Sequence, residues 1–130
     1  MDKMHIPATS DTPEIVFDFE ARRLLIKGES YPESAANFYG PILEQTDRFL
    51  DQLEEGDGVE VHVELKYFNS SSTKMLFTFF DRLNASAEAG VRVDLHWYHD
   101  IEDDMILEFG EELAEDFPEM GYHPHAVGSL

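Results

Sequence analysis

Two stretches of this chain alternate apolar and polar residues with a period of two, and no other feature constrains the fold as much. In the first, Val59, Val61, Val63, Leu65 and Tyr67 point one way, and Glu60, His62, Glu64 and Lys66 the other. In the second, Val91, Val93, Leu95 and Trp97 face one side, and Arg92, Asp94, His96 and Tyr98 the other. Such alternation is a strand with one buried and one polar face. Between the two lies a helical pattern on Met75, Leu76, Phe79, Phe80 and Leu83, closed near Gly90. Inner strands of a sheet covered on both faces read as continuous apolar runs. A polar face on both strands therefore places the helices on one side only. Right-handed crossovers with every helix on one face then make the strand order advance in one direction.

The remaining segments fill in this plan. Residues 1–13 carry Pro7, Thr9, Ser10, Asp11, Thr12 and Pro13 and read as an irregular lead-in. The runs Ile15–Phe19 and Leu24–Lys27 read as a hairpin. From Ala35 the residues Phe38, Tyr39, Ile42, Leu43, Phe49, Leu50 and Leu53 recur at helical spacing. Pro41 lies inside that run and lacks an N–H, so either the helix kinks there or its main part starts there. A third helix spans about Glu102 to Phe117 and opens on acidic residues that suit its dipole. In the tail, 118–130, Tyr122–Val127 can add one edge strand interrupted by Pro124. The expected fold is a two-layer α/β domain over residues 1–130, β-β-α-β-α-β-α with a possible fifth strand. Its mixed, mostly parallel sheet has order 1-2-3-4 and then 5, with only the first strand antiparallel. Val63, Leu65, Leu95, Trp97, Phe79 and Phe80 are expected in the core.

Charge narrows the function classes. Nine Lys and Arg stand against 28 Asp and Glu in 130 residues, a net charge of −19. Phosphate contacts need cations that this surface lacks, which argues against nucleic acid and anionic membranes. The absence of cysteine removes disulfides, thiolate metal sites and Cys nucleophiles. The first residues contain no apolar signal region, and no stretch reaches membrane-spanning length. A cytoplasmic protein is expected.

The stretch with most chemical content is Leu65-Lys66-Tyr67-Phe68-Asn69-Ser70-Ser71-Ser72-Thr73-Lys74. It joins the carboxyl end of a strand to the start of a helix, where α/β folds place their sites. A helix cap is the ordinary reading of such a Ser/Asn cluster. Yet a cap needs one residue, and here four hydroxyls follow Asn69. Lys74, near the first turn, opposes the helix dipole but would favour a phosphate on one of these hydroxyls.

Other clusters carry less. His62 and His96 share polar strand faces with Glu60, Glu64 and Asp94, but no metal-binding spacing such as HExxH supports a site. The expectation is a solvated face, no bound metal and no cofactor. His123-Pro124-His125 reads as mobile tail rather than a ligand pair. The acidic run Glu102, Asp103, Asp104, Glu108, Glu111, Glu112, Glu115 and Asp116 lacks the pattern of an EF-hand and reads as a solvated helix face, or secondarily as a docking face for a basic partner. No GxSxG, P-loop or GxGxxG occurs, so no catalytic residue is assigned.

Taken in order, Ile6-Pro7-Ala8-Thr9 with Thr12-Pro13, Gly28-Glu29-Ser30-Tyr31-Pro32-Glu33, Phe38-Tyr39-Gly40-Pro41-Ile42 and Tyr67-Phe68-Asn69-Ser70-Ser71-Ser72-Thr73-Lys74 cover nearly the whole chain. This set resembles the SiaC family of bacterial regulatory phosphoproteins, which are similar to the STAS domains of anti-sigma factor antagonists. The resemblance implies a non-catalytic switch in a partner-switching circuit. A dedicated kinase phosphorylates a hydroxyl after the Tyr-x-Asn motif, and a PP2C-like phosphatase removes the phosphate. The unphosphorylated form activates a diguanylate cyclase, raising cyclic di-GMP and promoting biofilm formation. Carried over by position, the acceptor is Ser70, with Ser71 and Ser72 as alternatives and Tyr67, Asn69, Thr73 and Lys74 around it. The family acceptor is Thr where this chain has Ser, and Ser34 stands where the family often has Asn. Related circuits end on other effectors, so an anti-anti-sigma role in transcription is the competing output. A small enzyme or ligand binder using the polar sheet face is the rival from another class.

Overall fold

The structure, a computed structural model, describes residues 1–128. Its elements run β1 (Met4–Ile6), β2 (Glu14–Asp18), β3 (Arg23–Ser30), α1 (Ala35–Asp51), β4 (Gly58–Phe68), α2 (Ser70–Glu88), β5 (Arg92–Asp100), α3 (Asp104–Asp116) and β6 (Gly121–Val127). One six-stranded sheet has the order β1-β2-β3-β4-β5-β6. The pairs β1–β2 and β2–β3 are antiparallel; β3–β4, β4–β5 and β5–β6 are parallel. The alternating strands put Val59, Val61, Val63, Leu65, Val93, Leu95 and Trp97 into one core with residues of all three helices, including Tyr39, Ile42, Leu76, Phe79, Phe80, Leu83, Ile106 and Leu113. The six residues expected in the core are each at most 2% exposed. The opposite sheet face carries no helix.

Three expectations change. The lead-in is not wholly irregular: Met4-His5-Ile6 pairs with β2, adding a strand too short for periodicity to reveal. The free edge of the β2–β3 hairpin supplies the ladder that orders it. Second, the tail is not mobile at His123-Pro124-His125, because Gly121–Val127 forms the outermost strand along β5. Pro124 is tolerated there since an edge strand can forgo one donor. Third, Tyr67 is not on the core face. Leu65 pairs with Gly28 while Tyr67 pairs with Glu29, so Lys66 is an extra residue, a β-bulge. Beyond it the alternation flips. Tyr67 turns outward at 51% exposure, and Phe68 turns inward against Phe109 and Trp97.

The open question at Pro41 resolves as one continuous helix, α1, capped by Ser34, whose side chain accepts from the Asn37 N–H. Asn37, Gly40 and Pro41 are all exposed, so water can satisfy the carbonyl that proline leaves without a donor. Gly40 also has no Cβ to crowd the ring that follows it.

Candidate functional site

The β4–α2 junction distributes its polar groups among distinct tasks. The Asn69 side chain caps α2, accepting from the Ser72 N–H at 2.9 Å. Its own N–H donates to the Ser30 carbonyl at 3.0 Å, tying the turn to the end of β3. Thr73 returns its hydroxyl to the Asn69 carbonyl at 3.1 Å. Ser72 is fully buried, and its Oγ donates to the Ser30 carbonyl at 3.0 Å and lies 2.7 Å from Ser30 Oγ. Ser30 Oγ in turn sits 2.6 Å from Tyr39 Oη, extending the chain of hydroxyls into α1. Burial pushes the Tyr39 phenol up to about 12, with the bonds to Ser30 and Ser72 acting in the opposite sense.

Ser70 and Ser71 remain at the exposed opening of α2, and Lys74 is exposed one turn along. The first turn holds no acidic residue, so the positive end of the dipole is not neutralised locally. A phosphoryl group on Ser70 or Ser71 would meet that dipole without disturbing the cap. Ser72, the other alternative, is reachable only if the buried hydroxyl chain opens. Local chemistry alone does not separate Ser72 from Ser70, because Ser30 and Tyr39 beneath the turn are distant in sequence.

Around this turn exposed apolar side chains stand among charged ones. Tyr67 meets Tyr31 edge-on at 5.8 Å, and both are exposed. Lys66 and Met105 line one groove, which runs from the end of β4 to the start of α3 beside Asp100, Glu102 and Asp103. Ile101 and Met105 are 65% and 80% exposed. The acidic run is split: Asp103 caps α3 by accepting from the Ile106 N–H at 3.1 Å, while Glu108, Glu111, Glu112, Glu115 and Asp116 face outward.

The helix-free sheet face gathers the histidines. His62 and His96 are register partners on β4 and β5, and their rings stack at 4.6 Å. His123 and His125 of β6 stack on the other side of His96. Glu60 Oε2 lies 2.7 Å from His96 Nε2 and 4.0 Å from His62 Nε2. Asp94 pairs with His123 at 2.9 Å instead. Glu64 pairs with Lys27 at 3.7 Å.

Among the described residues no helix is long and apolar enough to cross a membrane. A family model described as SiaC family regulatory phosphoprotein matches residues 6–126. An uncharacterized protein of Pseudomonas aeruginosa (strain UCBPP-PA14) is 35% identical over 119 residues, covering 89% of this chain and 90% of its own. The crystal structure of apo-SiaC from Pseudomonas aeruginosa superposes with a TM-score of 0.89 at 32% identity, covering 97% of this chain and all of that one. A chain in the crystal structure of the diguanylate cyclase SiaD with its activator SiaC, from the same organism, superposes at 0.88 and 32% identity, covering 95% of this chain and 99% of that one. The fold described above is therefore that of a known architecture, and this chain belongs to the SiaC family of regulatory phosphoproteins.

Proposed function

We propose that this protein is a non-catalytic cytoplasmic switch that binds and activates a diguanylate cyclase when unphosphorylated, and that a cognate kinase and a PP2C-like phosphatase add and remove a phosphate at Ser70. The observation that carries this reading is the division of labour at the start of α2. Asn69 caps, Ser72 and Thr73 hold the turn, and Ser70 stands exposed. Support for the partner comes from the relative SiaC, which is described as the activator of the cyclase SiaD.

The physics favours a local mechanism. A phosphate adds about −1.5 to −2 charges at neutral pH. Against a net charge of −19 that barely alters the whole-molecule field, and salt confines its reach to about 8 Å. The effect must fall on a partner packed over the turn. Tyr31, Tyr67, Ile101 and Met105 offer such a partner exposed apolar side chains. A desolvated dianion within that contact would expel it, while the dipole and Lys74 keep the modified helix folded.

The experiment is calorimetry against the cognate cyclase with wild type, kinase-phosphorylated wild type and Ser70→Ala, alongside cyclic di-GMP production. Wild type and Ser70→Ala should bind and activate, and the phosphorylated protein should not. Ser70→Asp, with less charge and a different shape, should weaken binding partially. Equal affinity for both phosphorylation states would refute the switch, and phosphate accepted by Ser70→Ala would move the site to Ser71 or Ser72.

A further inference from the structure

We propose that Glu60, His62 and His96 form a binding site for a divalent transition metal of the zinc class on the helix-free face of the sheet. One ligand atom from each lies within 4.8 Å of the others, and Glu60 Oε2 is 2.7 Å from His96 Nε2 and 4.0 Å from His62 Nε2. Two histidines and a carboxylate form a known zinc donor set that leaves a further position open. Zinc bonds of about 2.0–2.1 Å place tetrahedral ligands roughly 3.3 Å apart. Glu60, whose side chain is half exposed, is free to swing the distance required.

Two independent observations separate this cluster from a solvated strand face. The first is His62 itself. It is only 8% exposed, its Nδ1 lies 2.9 Å from Tyr98 Oη, and its Nε2 is buried without a hydrogen-bond partner. A buried imidazole nitrogen aimed toward a carboxylate 4.0 Å away is a donor atom awaiting a cation. The second is the outer layer. Both histidines engage their Nδ1 atoms, His62 with Tyr98 Oη and His96 with His125 Nε2 at 2.9 Å. That arrangement holds both rings in place and leaves both Nε2 atoms beside the Glu60 carboxylate, as the second shells of metal sites hold their ligands.

The strand pattern alone hides the site because its ligands come from two strands. Glu60 and His62 are alternate residues of β4, and His96 is the register partner of His62 across the β4–β5 ladder. A bound ion would clamp β4 to β5 and, through His125, order β6.

The test uses the full chain without an affinity tag, titrated with Zn²⁺ by calorimetry in excess Mg²⁺, and with Co²⁺ to read coordination from its visible spectrum. Binding should be one to one, survive Mg²⁺ and raise the melting temperature. His96→Ala and Glu60→Ala should each weaken it by more than about 100-fold, and Tyr98→Phe, which removes only an outer partner, by about 10–100-fold. His123→Asn should leave it unchanged. Far-ultraviolet circular dichroism of the apo variants checks that each is folded. Zn²⁺ uptake abolished by Mg²⁺, or retained in folded His96→Ala, would overturn the proposal. Retention in His96→Ala with loss in His123→Asn would assign the ion to Asp94 and His123 instead.

Discussion

Replacing Gly110 by alanine tests how α3 is seated. In an unobstructed helix interior this substitution stabilises by about 1 kcal/mol, because alanine is the better helix former. Here a Cβ would lie 2.5 Å from Trp97 Cδ1, 2.6 Å from Trp97 Nε1 and 2.5 Å from Tyr122 Oη. The indole has nowhere to go. It is fully buried, stacked on Phe109 at 5.6 Å, and pinned by donating Nε1–H to the Ile106 carbonyl at 2.9 Å. Overpacking costs about 1–3 kcal/mol, and two rings in the way justify the upper end. Less the helix gain, the net loss is about 2 kcal/mol. At about 2.1 cal/mol/K of unfolding entropy per residue, a chain of 130 residues loses roughly 7 °C of Tm. Urea unfolding followed by circular dichroism and by the fluorescence of the sole tryptophan measures the loss. The indole N–H should also exchange faster once the bond to Ile106 is strained. A variant as stable as the parent, with an unchanged indole resonance, would show that α3 does not close on Trp97.

Three further outcomes are expected. Tyr122→Phe should be neutral or stabilising by up to about 1 kcal/mol in urea unfolding, since the lost hydroxyl is buried without a partner. Ser70→Ala should fall within about ±0.5 kcal/mol of wild type, whereas Ser72→Ala should lose about 1–3 kcal/mol by leaving Ser30 groups under-satisfied; equal effects would refute the division of labour at α2. Burial pushes the Tyr39 phenol up to about 12 in the folded chain, above the ordinary phenol value of 10.0 that it regains on unfolding. Its raised folded pKa means that its contribution is intact below pH 10 and is lost as pH rises toward 12, by about 3 kcal/mol at most. Tyr39→Phe should flatten that alkaline decline in a pH series of urea midpoints.

Periodicity carried the fold a long way. Val59–Leu65 and Val91–Trp97 announced two parallel strands with helices on one side, because a half-buried sheet imprints its two faces on alternate residues. What escaped was not periodic. Met4–Ile6 is too short to show a pattern, and its ordering comes from β2 rather than from its own composition. The bulge at Lys66 has no local signal, since it exists only relative to Gly28 and Glu29 on another strand. It reversed Tyr67 and so created the exposed aromatic pair beside Ser70. At the junction the hydroxyl cluster was visible, but only Ser30 and Tyr39, distant in sequence, distinguish Ser72 from Ser70. His62 looked like one polar residue among several until the neighbouring strand covered it.

The strictly sequential strand order also shapes how the chain assembles. Each strand pairs with its predecessor in the chain, across either a short turn or a single helix. No gap in the sheet waits for a later segment to fill it, so loop closures stay short and their entropy modest. As the chain emerges from the ribosome at about 5–20 residues per second, each new strand finds its template already built. Growth by this rule needs a terminator, since the last strand is itself a template. Pro124 sits in the middle of β6, where it leaves the free edge one amide donor short and discourages a neighbouring copy from pairing there.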